Sequence, residues 1–87
     1  MAPAAGTVLV VEDNAEVAEV SQAYFEQLGY QVRHASSAQA GLDSMEREDD
    51  VDLVFSDILM PGGMNGLEMA DAMRRRFPVI PVLLTTG

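Results

Sequence analysis

The sequence has no cysteine, no lysine and no tryptophan among its 87 residues. Without cysteine there is neither a disulfide framework nor thiol chemistry, which fits a reducing compartment such as the cytoplasm. The 14 acidic residues outnumber the basic residues, all arginine, and the net charge is −9. This balance argues against binding to nucleic-acid phosphates or to anionic membrane surfaces. No apolar run approaches the ~20 residues of a membrane span. The composition therefore indicates one small, acidic, globular domain.

Strand patterns and helix patterns alternate along the chain. Short β-branched runs predict strands at 7–12, 31–35, 51–56 and 82–85, and helical spacing of apolar residues predicts helices at 15–28, 37–48 and 67–77. This alternation predicts an α/β fold, in which helices cover both faces of a parallel sheet and the crossovers are right-handed. We expect residues 1–6 to form a flexible leader and residues 7–87 to form the domain.

Capping residues and apolar spacing predict how the helices begin, end and pack. Asn14 and Gly29 are the expected N-cap and C′ residue of the first helix, and Ser36 with Gln39 is a candidate capping box for the second. The predicted inner faces of the three helices comprise Val17, Val20, Tyr24, Leu28, Ala38, Leu42, Met45, Leu67, Ala70, Met73 and Phe77.

Three carboxylates follow two of the predicted strands. Glu12 and Asp13 come directly after the first strand, and Asp57 comes directly after the third. In open α/β sheets, ligands bind in the crevice beyond the carboxyl ends of the strands. Carboxylates that converge there repel one another, and a divalent cation relieves that repulsion. The sequence therefore predicts a cation site at this edge of the sheet.

Three segments carry a resemblance to a known family: 8–14 (VLVVEDN), 55–61 (FSDILMP) with Asn65-Gly66 after it, and 81–87 (PVLLTTG). Over nearly its whole length the chain resembles the receiver domain of two-component response regulators, and the second and third segments look most like receivers of hybrid sensor histidine kinases. The resemblance implies a flavodoxin-like, doubly wound parallel sheet in strand order 2-1-3-4 with three helices. It also implies an incomplete C-terminus, because the family continues for about 30 residues through a helix, a lysine-bearing strand and a last helix.

By the same resemblance, Asp57 accepts a phosphoryl group from a sensor histidine kinase or a histidine phosphotransfer domain. Glu12, Asp13, Asp57 and the backbone carbonyl of Leu59 would hold Mg²⁺, and Thr86 would supply a hydroxyl that moves toward the phosphoryl group. A cation is physically required as well, since a carboxylate cannot approach a phosphate unless the charge between them is neutralised. Any catalysis would be limited to self-phosphorylation and autodephosphorylation.

Two other functions are compatible with parts of the sequence. Without the family's lysine, the fold could serve as an interaction module that is not phosphorylated, and the apolar edge of the fourth strand could pair with a second copy of the chain. A phosphohydrolase with an aspartyl nucleophile would need an acid two residues after Asp57, where Leu59 stands, so the sequence disfavours this function.

The other polar features have simpler interpretations. We expect His34 to be a partly exposed strand residue, since no second histidine or cysteine is present to build a zinc site with it. Residues 46–52 predict a solvated acidic turn, and residues 74–76 predict the solvated basic end of a helix. Met60 is expected to fill the space beneath the loop that follows Asp57.

Overall fold

The computed structural model describes residues 6–86, which form one four-stranded parallel sheet with three helices. Its elements are β1 Gly6–Val11, α1 Ala15–Gln27, β2 Tyr30–Ala35, α2 Ala38–Arg47, β3 Leu53–Asp57, α3 Gly66–Arg76 and β4 Val82–Thr85. The strand order is β2-β1-β3-β4. The predicted fold class, strand order and helix number are confirmed, and most element ends differ from prediction by one or two residues. Most of the predicted leader lies outside the described residues.

The sheet divides the core into two parts. Four consecutive residues of β1, from Val8 to Val11, are buried, as expected for a central strand covered on both faces. Leu9 and Val11 pack with residues of α2 and α3, whereas Val8 and Val10 pack with Phe25 of α1. No helix between residues 6 and 86 is long and apolar enough to cross a membrane.

The predicted inner face of α1 is wrong. Val17, Val20, Tyr24 and Leu28 are between 46% and 72% exposed, and the helix is buried through Ala18 and Phe25 instead. The ring of Phe25 meets those of Tyr30 and Phe55 edge to face, with centroids 5.7 and 5.2 Å away. One large aromatic residue thus fills the space beneath the helix, and it lies beside the aliphatic stripe rather than within it.

The inner faces of the other two helices were predicted more closely. Ala38, Leu42 and Met45 of α2 are all buried, as expected. On α3, Leu67 is exposed and the prediction for it is wrong; Met69 is buried in the core cluster with Met73.

Side chains cap all three helices. Asn14 accepts hydrogen bonds from the backbone N–H groups of Glu16 and Val17, as predicted. The cap of α2 is Ser37, which accepts from the Ala40 N–H, so the predicted Ser36–Gln39 box is wrong. A capping box that the sequence argument did not identify joins Asn65 and Glu68 at the start of α3.

The acidic segment 46–52 is more ordered than a solvated turn. Arg33 forms ion pairs with both Glu48 and Asp50, and Arg76 forms one with Glu46. The Asp52 carboxylate accepts a hydrogen bond from the Thr7 backbone at the start of β1. Arginines from β2 and α3 therefore tie this segment to its neighbours, which the local charge pattern alone does not reveal.

Candidate functional site

The carboxyl ends of β1, β3 and β4 meet at one edge of the sheet. Val11 of β1 pairs with Ser56 of β3, so the residues that follow them, Glu12 and Asp57, stand beside each other. In the next ladder, Asp57 pairs with Thr85. The register thus places all three strand-end carboxylates and the two threonines in one region.

Glu12 is the buried member of the acidic pair, with only 7% of the residue exposed. Its backbone N–H donates to the Ala35 carbonyl at 3.0 Å, and its carboxylate accepts from the Asn14 N–H at 3.2 Å. Burial raises the pKa of Glu12 most strongly, and a hydrogen bond with Asp13 and the charges of Asp57 and Asp13 raise it further, against the lowering effect of the Asn14 N–H. Asp13 and Asp57 are therefore both close enough to Glu12 to disfavour its charge.

Asp13 is exposed and borders a small cavity. The cavity has a volume of about 100 Å³ and lies between the β2–α2 loop, with Ser36 and Ser37, and the β3–α3 loop, with Met60 and Pro61. Met60 is buried at the base of its loop, as predicted. Asp13 thus faces a solvent-accessible space, whereas Glu12 does not.

Local backbone contacts hold Asp57 at the end of β3. Its Oδ1 accepts from the Leu59 N–H at 3.1 Å, and its carbonyl accepts from the hydroxyl of the buried Ser56 at 2.9 Å. The first residue of α3, Gly66, donates its N–H to the Ile58 carbonyl at 2.9 Å. A Cβ on Gly66 would overlap the Asp57 carbonyl oxygen and lie 2.8 Å from the Ile58 Cα, so only glycine permits this approach.

The two threonines occupy different positions relative to the sheet. Thr85 is the last residue of β4 and pairs with Asp57, and its carbonyl accepts from the Ile58 N–H at 2.9 Å. Thr86 follows the strand and is exposed. The preference for Thr86 over Thr85 as the functional hydroxyl stays a prediction.

The donor chemistry fits Mg²⁺, although the carboxylates do not form a closed cage. Among residues 6–86, no group of three or more His, Cys, Asp or Glu side chains is close enough to constitute a metal-binding cluster. Mg²⁺ usually binds through one or two carboxylates and keeps several waters, so it does not need such a cluster. Burial and the neighbouring charges of Asp57 and Asp13 disfavour the charged form of Glu12, and a bound cation would offset both.

Comparison with known proteins identifies the family. The model of the response regulator receiver domain matches residues 8–87. The chain belongs to this family. The receiver is 30% identical over 80 residues to the response regulator SaeR of Staphylococcus aureus, covering 92% of this chain and 34% of that protein. It therefore spans about a third of the length of this curated relative.

Solved receivers have the same fold. The signal receiver domain of a signal transduction histidine kinase from Syntrophus aciditrophicus is 32% identical with a TM-score of 0.85, and the match covers 94% of this chain and 62% of that one. The chemotaxis protein CheY4 of Vibrio cholerae is 26% identical with a TM-score of 0.83, and the match covers 93% and 68% of the two chains. The predicted resemblance to receiver domains is confirmed.

Two residues near the site were not given a role by the sequence argument. In the sequence Gly66 is only part of a motif, yet its lack of a Cβ permits the close approach of α3 to the end of β3. The Nε2 of His34 lies 2.8 Å from the Glu12 carbonyl oxygen. A single histidine on a strand carries no local signal for such a contact, because the register between β1 and β2 decides it.

Proposed function

We propose that this receiver domain accepts a phosphoryl group from phosphohistidine onto Asp57, with Mg²⁺ bound by Glu12 and Asp13. The observation that carries the proposal is the strand register, which places Glu12 and Asp57 beside each other; burial raises the pKa of Glu12 most, and contacts with Asp13 and Asp57 raise it further. A purely structural strand end has no need for acids beside one another, whereas phosphoryl transfer needs both a nucleophile and a bound cation there.

The transfer itself is a displacement at phosphorus. A carboxylate oxygen of Asp57 attacks the phosphorus atom, the N–P bond of the donor breaks, and the imidazole leaves with that electron pair and takes up a proton. Bound Mg²⁺ would neutralise charge on the phosphoryl oxygens. The Leu59 N–H orients the Asp57 carboxylate, and the carbonyl of Leu59 is a further proposed ligand. Thr86 would contact the phosphoryl group once it is attached.

The donor would be a sensor histidine kinase or a histidine phosphotransfer domain. Family membership supports this assignment, and the 32% identity to a receiver of a histidine kinase supports a hybrid-kinase context. The net charge of −9 and the absence of cysteine support a cytoplasmic domain that does not bind nucleic acid or membrane.

The direct test is covalent labelling of Asp57. We expect incubation with an acyl-phosphate donor and Mg²⁺ to add the mass of one phosphoryl group to the intact chain, and Asp57→Asn to abolish the addition. Asp49→Asn is the matched control, since Asp49 is an exposed aspartate that precedes β3, whereas Asp57 is at the carboxyl end of that strand. A wild-type chain that gains no mass, or a label that survives in Asp57→Asn, contradicts the proposal.

Cation binding is tested separately by thermal unfolding. We expect millimolar Mg²⁺ to raise the Tm of the wild-type chain, because ligand binding to the native state stabilises it. Asp13→Asn should raise the Tm without metal and remove most of the Mg²⁺ effect, because it relieves repulsion and deletes a ligand. If Asp13→Asn responds to Mg²⁺ as the wild type does, Asp13 is not a ligand.

A second candidate function is self-association through β4. Within residues 6–86, β4 is an edge of the four-stranded sheet, and Leu83 on it is 51% exposed. An apolar edge strand favours the addition of another strand. A chain that does not accept phosphate but dimerises would favour this function over the first.

A further inference from the structure

The backbone ladder between β1 and β2 ends next to the acidic pair. The Glu12 N–H donates to the Ala35 carbonyl at 3.0 Å. If the parallel ladder continued, the Glu12 carbonyl would accept from the N–H two residues later on β2, which is that of Ser37. β2 ends at Ala35, and the N–H of Ser37, the N-cap of α2, makes no backbone hydrogen bond to the Glu12 carbonyl. The Glu12 carbonyl therefore loses its ladder partner at this position.

The side chain of His34 takes the place of that partner. Its Nε2 lies 2.8 Å from the Glu12 carbonyl oxygen. Since a carbonyl can only accept, the imidazole must carry its proton on Nε2 and donate it. The contact joins two residues 22 positions apart, so it is a long-range link between β2 and the end of β1.

This carbonyl belongs to the peptide unit that joins Glu12 to Asp13. Because a peptide is rigid, the plane of that unit sets the position of the Asp13 Cα and the axis of its N–Cα bond relative to Glu12. Asp13 itself sits in a bend rather than in a strand, and its residue is exposed. The contact with His34 therefore holds the peptide that joins Glu12, whose carboxylate is buried, to Asp13, whose carboxylate is exposed.

We propose that His34 is a positioning residue for the cation site, holding the Glu12–Asp13 peptide so that both carboxylates address the same ion. This inference rests on the proposed function, because it assumes that the two acids bind Mg²⁺. Groups that orient metal ligands from behind contribute measurably to metal affinity, typically about 10-fold to 100-fold when they contact a ligand side chain. A contact to the backbone of the ligands should give a smaller factor.

Two substitutions at position 34 distinguish the effect of the hydrogen bond from the effect of side-chain size. His34→Leu removes the donor, whereas His34→Gln keeps an N–H donor at a similar reach. Gln31→Leu is the control, because Gln31 is an exposed polar residue at the other end of β2. We expect His34→Leu to weaken Mg²⁺ binding, measured by calorimetry, roughly threefold to tenfold, and we expect the other two variants to bind as the wild type does.

Metal-free measurements distinguish positioning from general stability. The amide resonance of Asp13 reports the hydrogen bond at the preceding carbonyl, so we expect it to shift in His34→Leu and to return toward the wild-type position in His34→Gln. The metal-free Tm should change little, since His34 is exposed. A loss of Mg²⁺ affinity matched by a large fall in metal-free Tm, or shared equally by His34→Gln, overturns the inference.

The outcome for the wild type separates this inference from the proposed function. Unchanged Mg²⁺ affinity in His34→Leu, with normal binding by the wild type, overturns the role of His34 alone. A wild-type chain that binds no Mg²⁺ overturns both.

Discussion

Glu12 is held where its own negative charge is unfavourable. Burial, the hydrogen bond with Asp13 and the charge of Asp57 raise its pKa. A raised carboxyl pKa in the folded state means that the protonated form is favoured by folding. Its contribution to stability is complete below the unfolded-state pKa and is lost as the pH rises through the folded-state pKa.

Glu12→Gln should therefore stabilise the metal-free domain at neutral pH. The gain should shrink in acid, where Glu12 is itself protonated, and it should reverse in millimolar Mg²⁺ because the variant lacks a ligand. Thermal unfolding with a chelator at neutral and acid pH, and then with Mg²⁺, measures all three effects. Glu19→Gln, at an exposed position on α1, is the control. If the metal-free Tm of Glu12→Gln at neutral pH equals or falls below that of the wild type, the charge of Glu12 does not destabilise the folded state.

The two threonines at the end of β4 make separable predictions. If Thr86 contacts the phosphoryl group, Thr86→Ala should slow labelling of Asp57 by about 10-fold or more, as removal of a hydrogen bond to developing charge does. Thr85→Ala should have the smaller effect on labelling. The time course of phosphorylation by an acyl phosphate, followed by intact mass, compares them. A larger effect of Thr85→Ala would assign the functional hydroxyl to the residue that pairs with Asp57.

The start of α3 is positioned by the absence of one side chain. A Cβ on Gly66 would overlap the Asp57 carbonyl oxygen, so the helix or the strand end must move in Gly66→Ala. We expect a loss of about 1–3 kcal/mol in the free energy of unfolding and slower phosphorylation of Asp57. Gly41→Ala in α2 is the matched control, since its Cβ would meet the Val11 side chain at 3.0 Å and only a small adjustment is needed. If the two variants have equal free energies of unfolding, a Cβ at position 66 does not prevent α3 from approaching Asp57.

Two residues of α1 differ sharply in burial. Phe25 is buried and contacts two other rings, whereas Val20 is 72% exposed. Phe25→Ala should cost about 3–5 kcal/mol of the free energy of unfolding, and Val20→Gln should cost no more than about 0.5 kcal/mol. Urea unfolding followed by circular dichroism measures both. If both variants lose comparable free energy of unfolding, the helix packs through the aliphatic stripe that contains Val20, and not through Phe25.

Periodicity and strand-end chemistry predicted the order of elements, because β1 is apolar at four successive positions and the carboxylates follow it directly. These patterns did not predict contacts that depend on a residue elsewhere in the chain. Phe25, and not the aliphatic stripe, packs beneath α1 because it contacts rings on β2 and β3. Ser37 rather than Ser36 caps α2. The register between β1 and β2 brings His34 next to the Glu12 carbonyl. Each of these depends on tertiary geometry, which local propensity does not contain.

At the scale of the molecule, the two edges of the sheet have different chemistry. β2 carries Arg33, whose guanidinium bridges Glu48 and Asp50, so a charged and anchored side chain lies on that edge strand. The sequence of β4 is VLLT, with no charged residue. Charges on an edge strand oppose the addition of a second chain, and an apolar edge permits it. Self-association should therefore use β4 rather than β2.

Two copies that meet through β4 would be related by a twofold axis, so each Leu83 would lie close to the dimer axis or to its symmetry mate. We expect the molar mass from light scattering to rise toward that of a dimer as concentration increases. Leu83→Lys should hold the chain monomeric, because it places like charges across the shared edge. Val79→Lys is the control, since Val79 is 86% exposed but precedes the strand. A wild-type mass that stays monomeric at all concentrations, or a dimer that persists in Leu83→Lys, would exclude β4 as the interface.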